Sequence, residues 1–206
     1  MNGNRASVME RRYIADGMIE VKMTKCITNY KPGQYIRVYL ECSDSKKFRE
    51  FNLTSIPSDP YLSFAFIYRN TAWKSSMLAA SDAIVKGPYG SFVLPDEDSR
   101  LVMIALGIGI TPFISMIRYS LSTNMHYITL LYIGEYVSYL DELNRDHKRF
   151  RLIINSKPND IKRIDKRYVD HWYIAGIPDD VRAFKNILIR DGVDVSIIKT
   201  EEFAGY

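Results

Sequence analysis

The sequence predicts a β + α/β protein in two parts: a β-rich antiparallel half over residues 1–98 and a doubly wound parallel-sheet half over residues 99–206. Three observations carry that expectation. The first half alternates short β-rich runs with turn residues. The second alternates apolar runs with helical segments. Between them lies an acidic break, Pro95-Asp96-Glu97-Asp98-Ser99. A chain of 206 residues has room for two small domains of roughly 100 residues each.

In the first half the clearest strands are Ile19–Met23, Tyr35–Leu40, Tyr61–Tyr68 and Ala83–Val85, separated by Lys31-Pro32-Gly33 and Pro57-Ser58-Asp59-Pro60. Many short strands at such spacing predict an antiparallel barrel or sandwich. Only Lys74–Ala80 reads as helical there. In the second half Leu101–Leu106 is continuously apolar, as a parallel strand covered on both faces requires. Tyr127–Ile133, Phe150–Asn155, Trp172–Ala175 and Val195–Lys199 repeat the theme, with helices expected over Pro112–Ser122, Tyr139–Lys148 and Asp179–Asp191. That alternation predicts the doubly wound half.

Composition narrows the function. With 47% hydrophobic and 25% charged residues the chain buries a real core. A net charge of +4 suits an anionic cofactor or an acidic protein partner and is too weak to argue for nucleic acid. Cys26 and Cys42 cannot by themselves ligate a tetrahedral zinc or an iron–sulfur cluster, so no metal site is expected. They read as small buried hydrophobes of a reduced, cytoplasmic protein. Residues 1–12 are polar and carry no apolar signal core. The uncharged stretch Leu101–Ile117 is slightly short for a membrane span and is broken by two glycines and a proline. A strand, a turn and an amphipathic helix explain it better.

The turn between that strand and that helix, Gly107-Ile108-Gly109-Ile110-Thr111-Pro112, is the most telling segment. Glycines permit positive φ and let a ligand approach bare backbone. Thr111 is expected to cap the helix and Pro112 to occupy its first position. Free N–H groups at a helix start make a phosphate site. Alone, the turn is equally a tight strand-to-helix connection. It is neither GxGxxG nor a phosphate loop with its lysine.

Five further segments, in order, change the weight of that turn. They are Lys31-Pro32-Gly33-Gln34-Tyr35-Ile36, Arg49-Glu50-Phe51-Asn52-Leu53-Thr54-Ser55, Ser75-Ser76-Met77-Leu78, Gly87-Pro88-Tyr89-Gly90-Ser91-Phe92 and Ala175-Gly176-Ile177-Pro178. Together they resemble the motifs of the ferredoxin–NADP reductase superfamily: PGQ-aromatic, R-x-[YF]-[ST]-x-x-S, G-x-x-S-x-x-L, GPxGxF and CGP. The resemblance implies a six-stranded flavin-binding barrel followed by an NAD(P)-binding domain. It implies FAD in preference to FMN, with NAD(P)H as substrate.

Residue by residue, the resemblance implies that Arg49 meets a flavin phosphate and Phe51 stacks on the isoalloxazine. Asn52, Leu53, Thr54 and Ser55 would follow the flavin edge and ribityl chain, and Ser75 and Ser76 would meet phosphate at a helix start. The plainer alternatives are a salt bridge for Arg49, a core position for Phe51 and a helix cap for Ser75. NAD(P) would lie on Gly107, Ile108, Gly109, Thr111 and Pro112, with its nicotinamide near Ala175, Gly176 and Pro178. Phe203 or Tyr206 would cover the flavin, unless the C-terminus is a frayed tail. Three positions depart from the pattern: Asn52 for a hydroxyl residue near flavin N5, Ala72 for glycine and Ala175 for cysteine. In Tyr132–Ser138, Glu135 would suit a ribose diol and repel a 2′-phosphate, which favours NADH.

The reaction implied is hydride transfer from nicotinamide C4 to flavin N5, then single electrons to a separate carrier such as ferredoxin. No general acid or base is required, and His126, His147 and His171 read as ordinary residues. Two rivals stay open: a reductase of free flavins, and a non-catalytic or electron-transfer subunit of a larger complex.

Overall fold

The computed structural model describes residues 3–135, 137–143, 147–154, 161 and 164–203. Six antiparallel strands build the first sheet: β1 (Asn4–Ala15), β2 (Met18–Thr24), β3 (Tyr35–Tyr39), β4 (Phe48–Asn52), β5 (Tyr61–Ile67) and β6 (Asp82–Tyr89). A single helix, α1 (Ala72–Ala79), precedes β6. The strand order is β4-β3-β6-β1-β2-β5. The edge strands meet at one bridge, Leu53 to Phe64, where the Thr54 N–H also donates to the Ser63 carbonyl at 2.8 Å. The expected barrel is therefore a barrel-like sheet that no ladder closes. Its core gathers Val21, Met23, Ile36, Val38, Phe64 and Trp73.

The second sheet is wholly parallel: β7 (Arg100–Leu106), β8 (Tyr127–Ile133), β9 (Phe150–Ile154), β10 (His171–Gly176) and β11 (Ile198–Glu202), in the order β11-β10-β7-β8-β9. The continuous apolar run of β7 divides by parity. Leu101, Met103 and Ala105 enter a core with α2 (Ile110–Thr123) and α3 (Tyr139–Leu143). Val102, Ile104 and Leu106 enter another with α4 (Pro178–Arg190). A strand buried on both faces needs apolar residues at every position, which explains the unbroken run. The first of these cores also takes Ile14, Met18, Ala65, Phe92 and Leu94, and so joins the halves. Among the described residues no helix is long and apolar enough to cross a membrane.

Four expectations need correction. β1 escapes the sequence pattern because its residues are mostly exposed and show no sustained apolar alternation; its ladders to β2 and β6 hold it. β4 (Phe48-Arg49-Glu50-Phe51-Asn52) was read only as a motif, and pairing with β3 makes it a strand. Of the helix expected over Tyr139–Lys148, Tyr139–Leu143 is helical, residues 144–146 lie outside the described residues, and His147 is not helical but bridges Phe150. The strand expected from Val195 begins at Ile198. Asp194 caps a 3-10 turn over Val195–Ile197, its carboxylate accepting from the Ser196 N–H at 2.8 Å.

The turn before β8 sets a pH dependence. His126, 1% exposed, accepts the Ser99 N–H on Nδ1 at 3.3 Å, while its backbone N–H donates to Asp98 Oδ1 at 2.7 Å. Burial lowers its pKa from the ordinary 6.5, Asp98 opposing the shift. Burial lowers that of His171 as well. A pKa lower in the folded state gives stability that is complete above about pH 6.5 and is lost as the pH falls further. The melting temperature should drop on acidification through that window. His126→Asn, which tolerates the local φ of 60°, should make that limb shallower. An unchanged slope would remove His126 from the account.

Candidate functional site

In the second sheet the chain order reverses between β7 and β10, the switch point at whose carboxyl ends ligands of open α/β sheets bind. The glycine turn lies there. Gly107–Gly109 form a 3-10 turn and α2 starts at Ile110. Thr111 is therefore not the cap: it sits inside the first helical turn, its hydroxyl donating to the Ile108 carbonyl at 3.1 Å. Pro112 is the third helical residue, in the first turn, where its missing N–H costs nothing; the Ile110 N–H is already taken by the Gly107 carbonyl. The glycines also divide their work. Gly107 has φ +55° and open space around it, whereas a Cβ on Gly109 would lie 2.0 Å from the Ala175 carbonyl oxygen. On Gly176 it would lie 2.7 Å from Leu106 Cβ. Gly109 and Gly176 thus serve the close approach of chain to chain, and Gly107 is the glycine open to a ligand. Ala175 is fully buried and Pro178 is the first residue of α4.

A cleft of about 500 Å³ runs from β4 and α1 to the end of β11; its lining includes Arg49, Phe51, Asn52, Lys74, Thr111 and Glu201. Phe51 has one ring face stacked on Phe64 at 4.6 Å, so it is a core residue that also borders the cleft. Asn52 Nδ2 donates to the Gly33 carbonyl at 2.9 Å and lies 3.5 Å from Glu201 Oε1. Arg49 Nη2 donates to Asp44 Oδ2 at 2.7 Å.

Other expected flavin residues face elsewhere. Leu53 is buried in the barrel core and its N–H donates to the Gln34 carbonyl. The Thr54 hydroxyl joins Glu20 and Ser63, and the Ser55 hydroxyl accepts from Tyr30 and from the Ser63 N–H. Neither Ser75 nor Ser76 starts a helix. Thr71 is the N-cap, and the Ser75 N–H already bonds the Thr71 carbonyl. Ser76 lines a separate depression with Tyr39 and Asp82. Tyr206 and Tyr136 lie outside the described residues, whereas Phe203 lines the cleft.

Several cleft residues escaped sequence reasoning. Lys46, Arg69 and Lys74 surround Arg49 and make that end of the cleft cationic. Thr71, three residues before Lys74, is the capping signal that would have located the helix start. Glu201 arrives because β11 pairs in parallel with β10, setting Glu201 opposite Ala175. Burial raises its carboxyl above the usual range, a trend Asn52 opposes. Burial, with Arg69 and Arg49 nearby, lowers the Lys74 ammonium. An aromatic edge, an amide, a hydroxyl and a cationic end suit a large planar ligand carrying an anionic group.

No protein-family model matches the chain. The reductase subunit of glycine betaine monooxygenase from Chromohalobacter salexigens is 31% identical over 103 residues, covering 46% of this chain and 28% of that protein. A Bacillus subtilis flavohemoprotein is 29% identical over 125 residues, covering 55% of this chain and 30% of its own length. The chain thus spans less than a third of these relatives. Among solved structures, a ferredoxin NADP+ reductase from Neisseria gonorrhoeae with bound FAD and NADP superposes with a TM-score of 0.82 at 16% identity, covering 98% of this chain and 99% of that one. The Amycolatopsis cytochrome P450 reductase GcoB gives 0.81 at 20% identity, covering 98% and 70%.

Proposed function

The fold is that of the ferredoxin–NADP reductase superfamily, and from that premise we propose that the chain is an NAD(P)H-dependent flavin oxidoreductase that uses FAD. One observation carries the reading: the aromatic, cation-lined cleft reaches Thr111, in the first turn of α2 beside the switch point between β7 and β10. A flavin in the cleft and a nicotinamide at the switch point would lie side by side, as ring-to-ring hydride transfer requires. In this reading residues 1–98 form the flavin domain and 99–206 the nucleotide domain.

Bound FAD would supply the chemistry, taking a hydride from NAD(P)H and passing electrons on singly. The chain's own residues bind and orient. Phe51 and Phe203 would border the ring plane, and the Asn52 amide would donate to a ring nitrogen in place of its long 3.5 Å contact with Glu201. Lys46, Arg69 and Lys74 draw the phosphates, and Arg49 is within reach of them. Gly107 opens the backbone to the nucleotide pyrophosphate at the start of α2, while buried Ala175 and Gly176 support that turn from behind and Pro178 starts α4 on the nicotinamide side. Leu53, Thr54 and Ser55 act one step back, holding β4 against β5. Exposed Glu135 favours NADH over NADPH. The acceptor is a separate electron carrier, a ferredoxin or an oxygenase component of the kind served by the monooxygenase reductase subunit above.

Reconstitution with FAD tests the proposal. The purified chain should retain the yellow chromophore through gel filtration, and NADH should bleach it without oxygen. A chain that stays colourless after incubation with FAD would overturn it.

A further inference from the structure

A carboxylate already takes the donors expected to meet the flavin phosphate. Asp44 Oδ2, in the loop between β3 and β4, accepts from Arg49 Nη2 at 2.7 Å and from the Trp73 N–H at 3.1 Å. Trp73 is the second residue of α1, so its N–H is one of the donors that the helix leaves without an internal partner. One oxygen therefore takes both a guanidinium and a helix-start amide, the two kinds of donor that bind phosphate. Arg49 Nη1 is committed as well, donating to the Lys46 carbonyl at 2.7 Å and the Phe48 carbonyl at 2.9 Å. These three hydrogen-bond partners lie within five residues of Arg49, in the β3–β4 loop and the first residue of β4, and the Arg49–Asp44 pair is only partly exposed, at 28% and 22% of the side chains.

We propose that Asp44 is an internal stand-in for the flavin phosphate and sets the preference between phosphorylated and unphosphorylated flavins. The inference rests on the flavin reading of the cleft. A phosphate that draws on Arg49 Nη2 or the Trp73 N–H must displace the Asp44 carboxylate or lie beside it. Displacement forfeits two charge-assisted hydrogen bonds, and coexistence sets two anions against each other. Riboflavin carries no phosphate and meets neither cost.

Flavin titrations of the full chain and of Asp44→Ala, using riboflavin, FMN and FAD in parallel, test this. Asp44→Ala should tighten FMN and FAD by about tenfold, the exchange of one such contact being worth about 1.4 kcal/mol. Riboflavin affinity should stay within about twofold. Asp44→Asn, which keeps an acceptor and loses the charge, should fall between. Unchanged or weaker FMN binding, or an equal gain for riboflavin, would overturn the inference while leaving the flavin reading standing. If none of the three flavins binds either protein, the flavin reading itself fails.

Discussion

Gly109→Ala is expected to lower the melting temperature by about 10 °C, corresponding to about 3 kcal/mol for a chain of this size. The added methyl would lie 2.0 Å from the Ala175 carbonyl oxygen, 2.4 Å from its carbon and 2.7 Å from the Gly176 nitrogen. These are backbone atoms of β10, paired with β7 on one side and β11 on the other, so no side-chain rotation relieves the clash. Either β10 or the start of α2 must move, and both form the proposed nucleotide crevice. NADH-dependent reduction should therefore fall together with stability. Gly107→Ala is the contrast. Its φ of +55° penalises a side chain, but the space is open, so about 1 kcal/mol is expected. Thermal melts of the two variants check the division of roles, and it fails if Gly109→Ala costs no more than Gly107→Ala.

Glu20→Ala should cost about 3 kcal/mol, because it leaves buried donors without an acceptor at the junction of the two sheets. Glu20 is 4% exposed on β2. Its carboxylate accepts from the Tyr139 hydroxyl at 2.7 Å, the Thr54 hydroxyl at 3.1 Å and Arg12 Nη2 at 3.0 Å. Tyr139 comes from α3 in the second half, and burial beside this carboxylate raises its pKa well above the usual value, keeping it a donor. Arg12 is partly exposed and also pairs with Glu142, so water and that partner soften its loss. Tyr139→Phe removes only one donor and should cost about 1 kcal/mol. Urea unfolding of both variants and of the double variant checks this. Strict additivity would deny that Glu20 and Tyr139 act as a pair.

The legible parts of the fold are those where one physical demand acts on consecutive residues. β7 is buried on both faces, and Leu101–Leu106 says so without help from the rest of the chain. β1 meets no such demand. Its ladders are made by backbone groups, which the side chains of an exposed strand do not report. At the site, Arg49 and Asn52 were read from local motifs and do reach the cleft. Thr54 and Ser55 belong to the same motif but turn toward Glu20, Ser63 and Tyr30, because the chain leaves β4 there and crosses to β5. Asp44 and Glu201 were not legible. One acts through a loop that folds back on Arg49, the other through a parallel register between β10 and β11, and neither relation has a local sequence pattern.

The most direct test of the central claim is anaerobic mixing of the FAD-loaded chain with NADH and, separately, NADPH, followed through the flavin absorbance. Bleaching in a single turnover, faster with NADH than with NADPH, is the predicted result. A chain that holds FAD in the cleft yet keeps its full yellow absorbance with both nucleotides would contradict the account.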